Sequence, residues 1–163
     1  MKYFVKILAI SLLFGILSCT EKDNPINNNN DDKNYLKCTV DGTKWQSTGT
    51  EFGLSAGTHY QQIKILGFNT KDSIEIILKF EPTEQIVVGE YELAKNGLKL
   101  GIFHSNGKLD TASSGKVYIT YLENEFPLKI SGTFNMNITT SENKNVTITD
   151  GIYTSGNFEI KLF

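Results

Sequence analysis

The sequence predicts an all-β protein: a single antiparallel β-sandwich or flattened β-barrel of about nine to eleven strands. Three observations predict it. Apolar and polar residues alternate with period two over most of the chain beyond Tyr35. Turn dipeptides interrupt that alternation at short intervals, at Asp41-Gly42, Asn96-Gly97, Asn106-Gly107 and Ser114-Gly115. No segment there carries convincing helical spacing, and the connections are too short for parallel crossovers, which need about a dozen residues or more. Antiparallel sheets joined by short loops pack in pairs or close on themselves.

The chain starts with a different pattern. Met1-Lys2-Tyr3-Phe4-Val5-Lys6 is short and positive, and Ile7–Leu17 carries no charge. A membrane-spanning helix needs about 20 apolar residues, so this run has the length of a secretory signal core. Ile16-Leu17-Ser18-Cys19 resembles a bacterial lipobox. That resemblance implies a lipoprotein signal peptide over residues 1–18, removed before Cys19, and a diacylglyceryl thioether on the Cys19 sulfur. It also implies a fatty acyl chain such as palmitate on the new amino group. One chain binds a membrane only marginally, so stable anchoring takes two or three.

Residues 19–34 then form a tether. Between Thr20 and Asn34 the only apolar residue is Ile26, among asparagines and charges. Such a segment buries too little to offset its ordering entropy, and it would hold a domain roughly 20 Å from the membrane. Thr20 favours the outer membrane under enterobacterial sorting rules. Glu21-Lys22-Asp23 resembles the acidic export tag of Bacteroidetes surface lipoproteins, or is ordinary linker charge. The expected location is therefore the outer membrane, lipid-anchored, facing the periplasm or the cell surface. The formal charge of −2 for the whole chain argues against nucleic acid as a partner.

The all-β domain is expected over residues 35–163. Leu36, Cys38 and Val40 share one strand face, which makes Cys38 a small buried hydrophobe, and Asp41-Gly42 turns the chain into Lys44–Ser47. Asn69-Thr-Lys-Asp72 separates Ile63–Phe68 from a strand presenting Ile74, Ile76, Leu78 and Phe80. Leu98, Leu100, Ile102 and His104 follow on one face. Val117, Ile119 and Tyr121 repeat the pattern. From Leu128 to Ile138 every even position is apolar or Gly and every odd one polar, the mark of one dry and one wet face. Ser141–Asn145 leads into Val146–Thr149, Asp150-Gly151 and Gly156-Asn157 shape the end, and Phe158, Ile160 and Leu162 alternate last.

Four stretches in order carry a resemblance. They are Cys38-Thr-Val-Asp-Gly-Thr-Lys-Trp45, Gly89-Glu-Tyr-Glu-Leu93, Ile130-Ser-Gly-Thr-Phe134 and Val146-Thr-Ile-Thr-Asp-Gly-Ile-Tyr153. Together the sequence resembles a family of small Bacteroidetes lipoproteins whose all-β domain has no assigned function. Tyr153 stands where Phe is commoner in that family. The resemblance implies no catalytic residues and no cofactor.

Catalysis requires converging groups, and the sequence offers none of the usual motifs. His59 and His104 read as loop or strand-end residues. Glu75 with Glu51, or Glu90 with Glu92, fall on outward strand positions. Asp41-Gly42 and Asp150-Gly151 lack the spaced acids of a calcium loop, so no metal site is expected. Asp72-Ser73-Ile74 and Asp110-Thr111-Ala112 match a short bacterial O-glycosylation pattern, which nominates Ser73 and Thr111 in expected turns. Trp45, Tyr60, Phe68, Phe103 and Tyr118 fall off the core face and could form an aromatic surface for a glycan or another envelope protein. The expected role is thus a lipid-anchored, non-catalytic binding or interaction module. The alternative is a barrel whose interior carries a small apolar ligand.

Overall fold

The computed structural model describes residues 34–56, 59–123 and 128–158. The expected signal peptide, Cys19, nearly all of the tether, and Ile160 and Leu162 lie outside the described residues.

Ten strands follow one another: β1 (Tyr35–Val40), β2 (Thr43–Gln46), β3 (Gly49–Ala56), β4 (Gln61–Phe68), β5 (Asp72–Phe80), β6 (Gly89–Ala94), β7 (Lys99–Ser105), β8 (Lys108–Glu123), β9 (Leu128–Thr139) and β10 (Asn145–Phe158). They form one antiparallel sheet in the order β2-β1-β10-β9-β8-β7-β5-β4-β3. β6 joins β8 off this path. Along the edge of β8 away from β9, β7 pairs with Lys108–Thr111 and β6 with Ser114–Ile119, so the two lie end to end. The tight turns use the predicted chemistry: Asp41-Gly42 and Asn106-Gly107 both have two consecutive positive φ angles, near 50° then near 80°, as a two-residue hairpin loop requires.

The sheet curls until its ends meet. β2 and β3 stand at opposite ends of the strand order, yet only Ser47 and Thr48 separate them. Ser47 N–H donates to Leu36 O on β1 at 2.9 Å, and Thr48 N–H donates to Phe68 O on β4 at 2.9 Å. Consecutive amides of an extended chain point to opposite sides, so this short segment stitches the two ends. Gly67 makes the seam possible: a Cβ there would approach Leu36 Cβ to 2.9 Å. The result is a curled antiparallel sheet forming a half-barrel, in keeping with the all-β sandwich or flattened barrel that the alternation predicts.

The inward face is filled. Ile63, Ile65, Ile74, Ile76, Leu78 and Phe80 from β4 and β5 pack with Leu36, Val117, Ile119, Ile130, Phe134, Met136, Ile138, Ile148 and Tyr153, all at most 2% exposed. Burying each such aliphatic side chain contributes about 1.5–3 kcal/mol. These side chains occupy the interior that the alternative apolar-ligand reading would need.

Three strands depart from the alternation, each for a local reason. On β7 the inward residues are Gly101 and Phe103, while Leu100 and Ile102 are half-buried and His104 is exposed. The expected parity is reversed because Gly101 contributes no side chain of its own; Met136 Sδ and Leu93 Cδ1 pack where its Cβ would stand, at 2.9 and 3.1 Å. On β8, register shifts lie between Ala112 and Ser114 and between Ile119 and Tyr121. The first carries Ser114-Gly115 through the strand rather than into a loop. The second turns Tyr121 outward, 47% exposed, although it shares parity with Val117 and Ile119. On β10, Asp150-Gly151 is a β-bulge inside one continuous strand, not its end.

Candidate functional site

The outer face of β9 and β10 carries a shallow, open concavity of about 590 Å³ between residues 133–137 and 147–152. Phe134, Met136 and Ile148 point inward, so the accessible walls are Thr133, Asn135, Asn137, Thr147, Thr149 and Asp150. The bulge shapes it. Ile148 pairs with Met136 and Gly151 with Phe134, which leaves Thr149 and Asp150 together opposite Asn135. Asp150 adopts φ 53°, in the left-handed region that asparagine and aspartate tolerate best. Its carboxylate Oδ2 accepts from Thr149 Oγ1 at 3.1 Å. Bulges re-aim side chains and leave ladder groups unpaired, which is why they gather at sites.

One strand away, Tyr118 pairs with Thr133 and with Glu90 of β6, and Lys116 pairs with Asn135 and Glu92. Lys116 Nζ donates to Glu90 Oε1 at 2.6 Å. The Glu90 carboxyl is held below its ordinary value, first by that bond and then by the Tyr118 hydroxyl. The same bonds hold the Lys116 ammonium and the Tyr118 phenol above theirs. Lys116 and Glu90 therefore neutralise each other on the β8 side, while on the other side exposed Lys37 pairs with Ile152 and has no acidic partner among the ion pairs of the described residues. The accessible lining combines the Asn and Thr side chains with half-buried Ile152 and one aspartate at the rim, and Asn137 Nδ2 donates to Ser114 Oγ at 3.4 Å.

The expected aromatic surface does not assemble. Trp45 is 8% exposed and Phe103 7%: Trp45 faces Cys38 across β1 and β2, and Phe103 occupies the inward parity of β7. Both belong to the core. Tyr60 and Phe68 are exposed but flank opposite ends of β4, roughly 25 Å apart at 3.3 Å per residue. Tyr60 lies under the Lys79 ammonium, 5.1 Å from its ring centroid. Only Tyr118 stands beside the concavity.

Ser73 and Thr111 are in strands rather than turns. Asn69 Oδ1 accepts from the amides of Lys71 and Asp72, both at 2.8 Å, which closes the turn early and starts β5 at Asp72. Ser73 is half-buried there between Phe68 and His104. The Asn106-Gly107 turn likewise leaves Thr111 inside β8, half-buried opposite Ile102. Asp110 Oδ1 accepts from Ser141 N–H at 2.9 Å.

His59 and His104 are exposed at separate places. Glu75 accepts from Lys64 at 2.8 Å, and Glu51 stands two strands from it in the same row, with Leu66 between. Among the described residues no group of three or more His, Cys, Asp or Glu could hold a metal. The concavity was legible in part: Thr133, Asn135, Asn137 and Thr139 occupy the predicted wet face of β9, and Thr147 and Thr149 follow on β10. Their signal is that they are neutral where solvated faces usually carry Lys and Glu.

The fold and site define an antiparallel β-domain built from one curled sheet, with a shallow concavity on the outer face of β9 and β10. The chain belongs to the family of domains of unknown function DUF6252, whose sequence profile matches residues 32–158. No curated protein and no solved structure matches it.

Proposed function

We propose that this chain is a lipid-anchored cell-envelope protein acting as a non-catalytic binding module, and that it binds through the outer face of β9 and β10. The concavity opposite the Thr149–Asp150 bulge carries this reading. There the described surface is recessed and presents polar side chains on strands, where a binding constellation is positioned well. The anchor rests on Lys2, Lys6, the Ile7–Leu17 run and Cys19, with the Asn-rich tether giving the domain reach. The outer membrane is the proposed location.

Two measurements test this. Membrane fractionation of cells expressing the Cys19→Ala chain is expected to move it from the membrane pellet to the soluble fraction or to trap it uncleaved. Unchanged, mature, pelleting protein would end the anchoring claim. A photo-crosslinking amino acid at position 135 in intact cells is expected to capture a ligand or a neighbour other than this chain, while one at position 64, on β4 and away from the concavity, captures none. Equal yields at both positions would end the claim that this face binds.

A further inference from the structure

We propose that the outer face of β4, β5 and β7 docks a second copy of this chain, face to face and with its strands reversed. The contact is centred on Leu66, Ile77, Leu100 and Ile102. It uses different strands from the β9–β10 concavity and does not rest on that binding reading.

This face breaks the rule that the other half of the sheet obeys. The outward positions of β9 from Ser131 on are Thr or Asn, as a wet face requires. On β4, β5 and β7 the outward parity carries Leu66, Phe68, Ile77, Leu100 and Ile102 instead, with Leu98 just before β7. The register makes them contiguous: Ile77 pairs with Leu100, and Leu66 and Ile102 flank Glu75 on its two sides. Leu98 is 42% exposed and Phe68 39%, and among the described residues no second layer covers them. A contiguous apolar patch of this kind marks an interaction surface.

Charge selects the occupant and its orientation. Lys79, opposite Gln62, and Lys64, opposite Ile77, lie toward one end of the face. Glu75 and Glu51 lie one row further on, both opposite Leu66. Lys64 Nζ is 2.8 Å from Glu75 Oε1, while Glu51 forms no ion pair among the described residues. A second copy with reversed strands sets lysine rows over glutamate rows in both directions at once, as a two-fold axis requires. Each Lys64 then meets the Glu51 side of the other copy. Strands running the same way would set lysine on lysine. A lipid surface offers Glu51 no cation, and a face with equal numbers of Lys and Glu has no net charge to draw anionic headgroups. The chain's own ends suit the face no better. Ile26 is the only apolar residue between Thr20 and Asn34, and β10 stands four strands from β5 in the sheet order.

The area is enough for a modest dimer. Ser73 to Lys79 spans about 20 Å along β5, and the four strands from β3 to β7 span about 19 Å across. Two such faces bury on the order of 1,000 Å² in all, near the floor for specific interfaces. Sheets that pack face to face keep their strands within about 30° of alignment, which the reversed arrangement allows.

The test uses the full-length chain in intact cells, with a photo-crosslinking amino acid at position 102 or, separately, at position 68. The expected product is a covalent dimer of this chain, with position 102 joined to β7 of the second copy. Glu51→Lys, at an exposed position without an ion pair, should lower the dimer yield at least tenfold, and Glu51→Gln should lower it less. Leu100→Lys should abolish the dimer. No chain-to-chain product at either position overturns the proposal, and so does a yield indifferent to Glu51→Lys. Capture of lipid alone, or of a different protein alone, also overturns it. Equal chain-to-chain yield from position 135 would mean random collision and would overturn it as well. Products from positions 102 and 135 are scored separately, so this dimer and the β9–β10 module can each fail alone.

Discussion

The ring of Tyr153 lies against Gly132 on the neighbouring strand, and its hydroxyl donates to the carbonyl of Tyr118 one strand further on, at 3.1 Å. Tyr153 is fully buried, and burial holds its phenol well above the ordinary range. This single side chain ties β10, β9 and β8 together beside the irregularity between Ile119 and Tyr121. A buried polar pair is costly to break from one side. Tyr153→Phe keeps the ring and removes the donor, so it is expected to lower stability by about 1–3 kcal/mol, read as a reduced midpoint in urea unfolding.

Gly132 gives a sharper prediction. A Cβ there would fall inside contact distance of the Tyr118 carbonyl oxygen and the Tyr153 hydroxyl. Tyr118 presents backbone, which cannot swing aside. Gly132→Ala is expected to lose about 3 kcal/mol or more by overpacking, or to leave no folded protein. Gly53 on β3 has nothing within 4 Å of its Cβ position, so Gly53→Ala is expected to be neutral or to stabilise by up to about 1 kcal/mol. Equal midpoints for the two variants would contradict the packing described.

The same residues explain how much of the fold the sequence discloses. Leu128–Ile138 is legible because every inward position of β9 is apolar or Gly and every outward one polar. β7 is misread because its outward parity carries the apolar Leu98, Leu100 and Ile102, while its inward pair is Gly101 and Phe103, with Met136 and Leu93 packed over the glycine. Bulges are silent in composition, so Tyr121 and Asp150 end on faces or in elements that simple parity does not assign. β3 alternates only over a short stretch, Phe52, Leu54 and Ala56, between the small residues Gly49, Gly53 and Ser55, and Phe52 and Leu54 pack against the core. The candidate site was legible only as the neutral wet face of β9, because the sequence does not show that the register sets Asn135 opposite the bulge.

Lys99 anchors a strap over the gap between β5 and β6. Its ammonium lies 4.8 Å from the Phe80 ring centroid and 5.7 Å from that of Tyr91. It donates to Lys79 O at 3.4 Å and pairs with Glu84 at 3.6 Å. The strap, residues 81–88, is held further by Gln61 Nε2 on Pro82 O and by the Tyr91 hydroxyl donating to Val87 O at 2.6 Å. Lys99→Met keeps the stem and removes the charge. It is expected to lose about 0.5–2 kcal/mol and to expose the strap to protease sooner than the wild type, measured by limited proteolysis. Glu84→Gln should do less, because that pair is partly exposed and screened.

Cys38 makes the last prediction, about pH. Burial pushes its thiol up from 9.0 to about 12, and no other free cysteine stands among the described residues. Below pH 9 the thiol is protonated in both folded and unfolded chains, so the protonated-state advantage is fully present. Between pH 9 and 12 the unfolded chain releases a proton that the folded chain retains. The unfolded state then binds fewer protons, and stability falls with rising pH by at most one proton's slope. Tyr153 acts in the same direction from about pH 10, where an unfolded tyrosine ionises. Cys38→Ala is therefore expected to flatten the stability curve between pH 9 and 10, where the tyrosine has scarcely begun to contribute. Consistently, the native thiol should resist a disulfide reagent at pH 8 and react at once in denaturant. Rapid native reaction, or an unchanged slope in the alanine variant, would mean that Cys38 is not sealed between β1 and β2 as described.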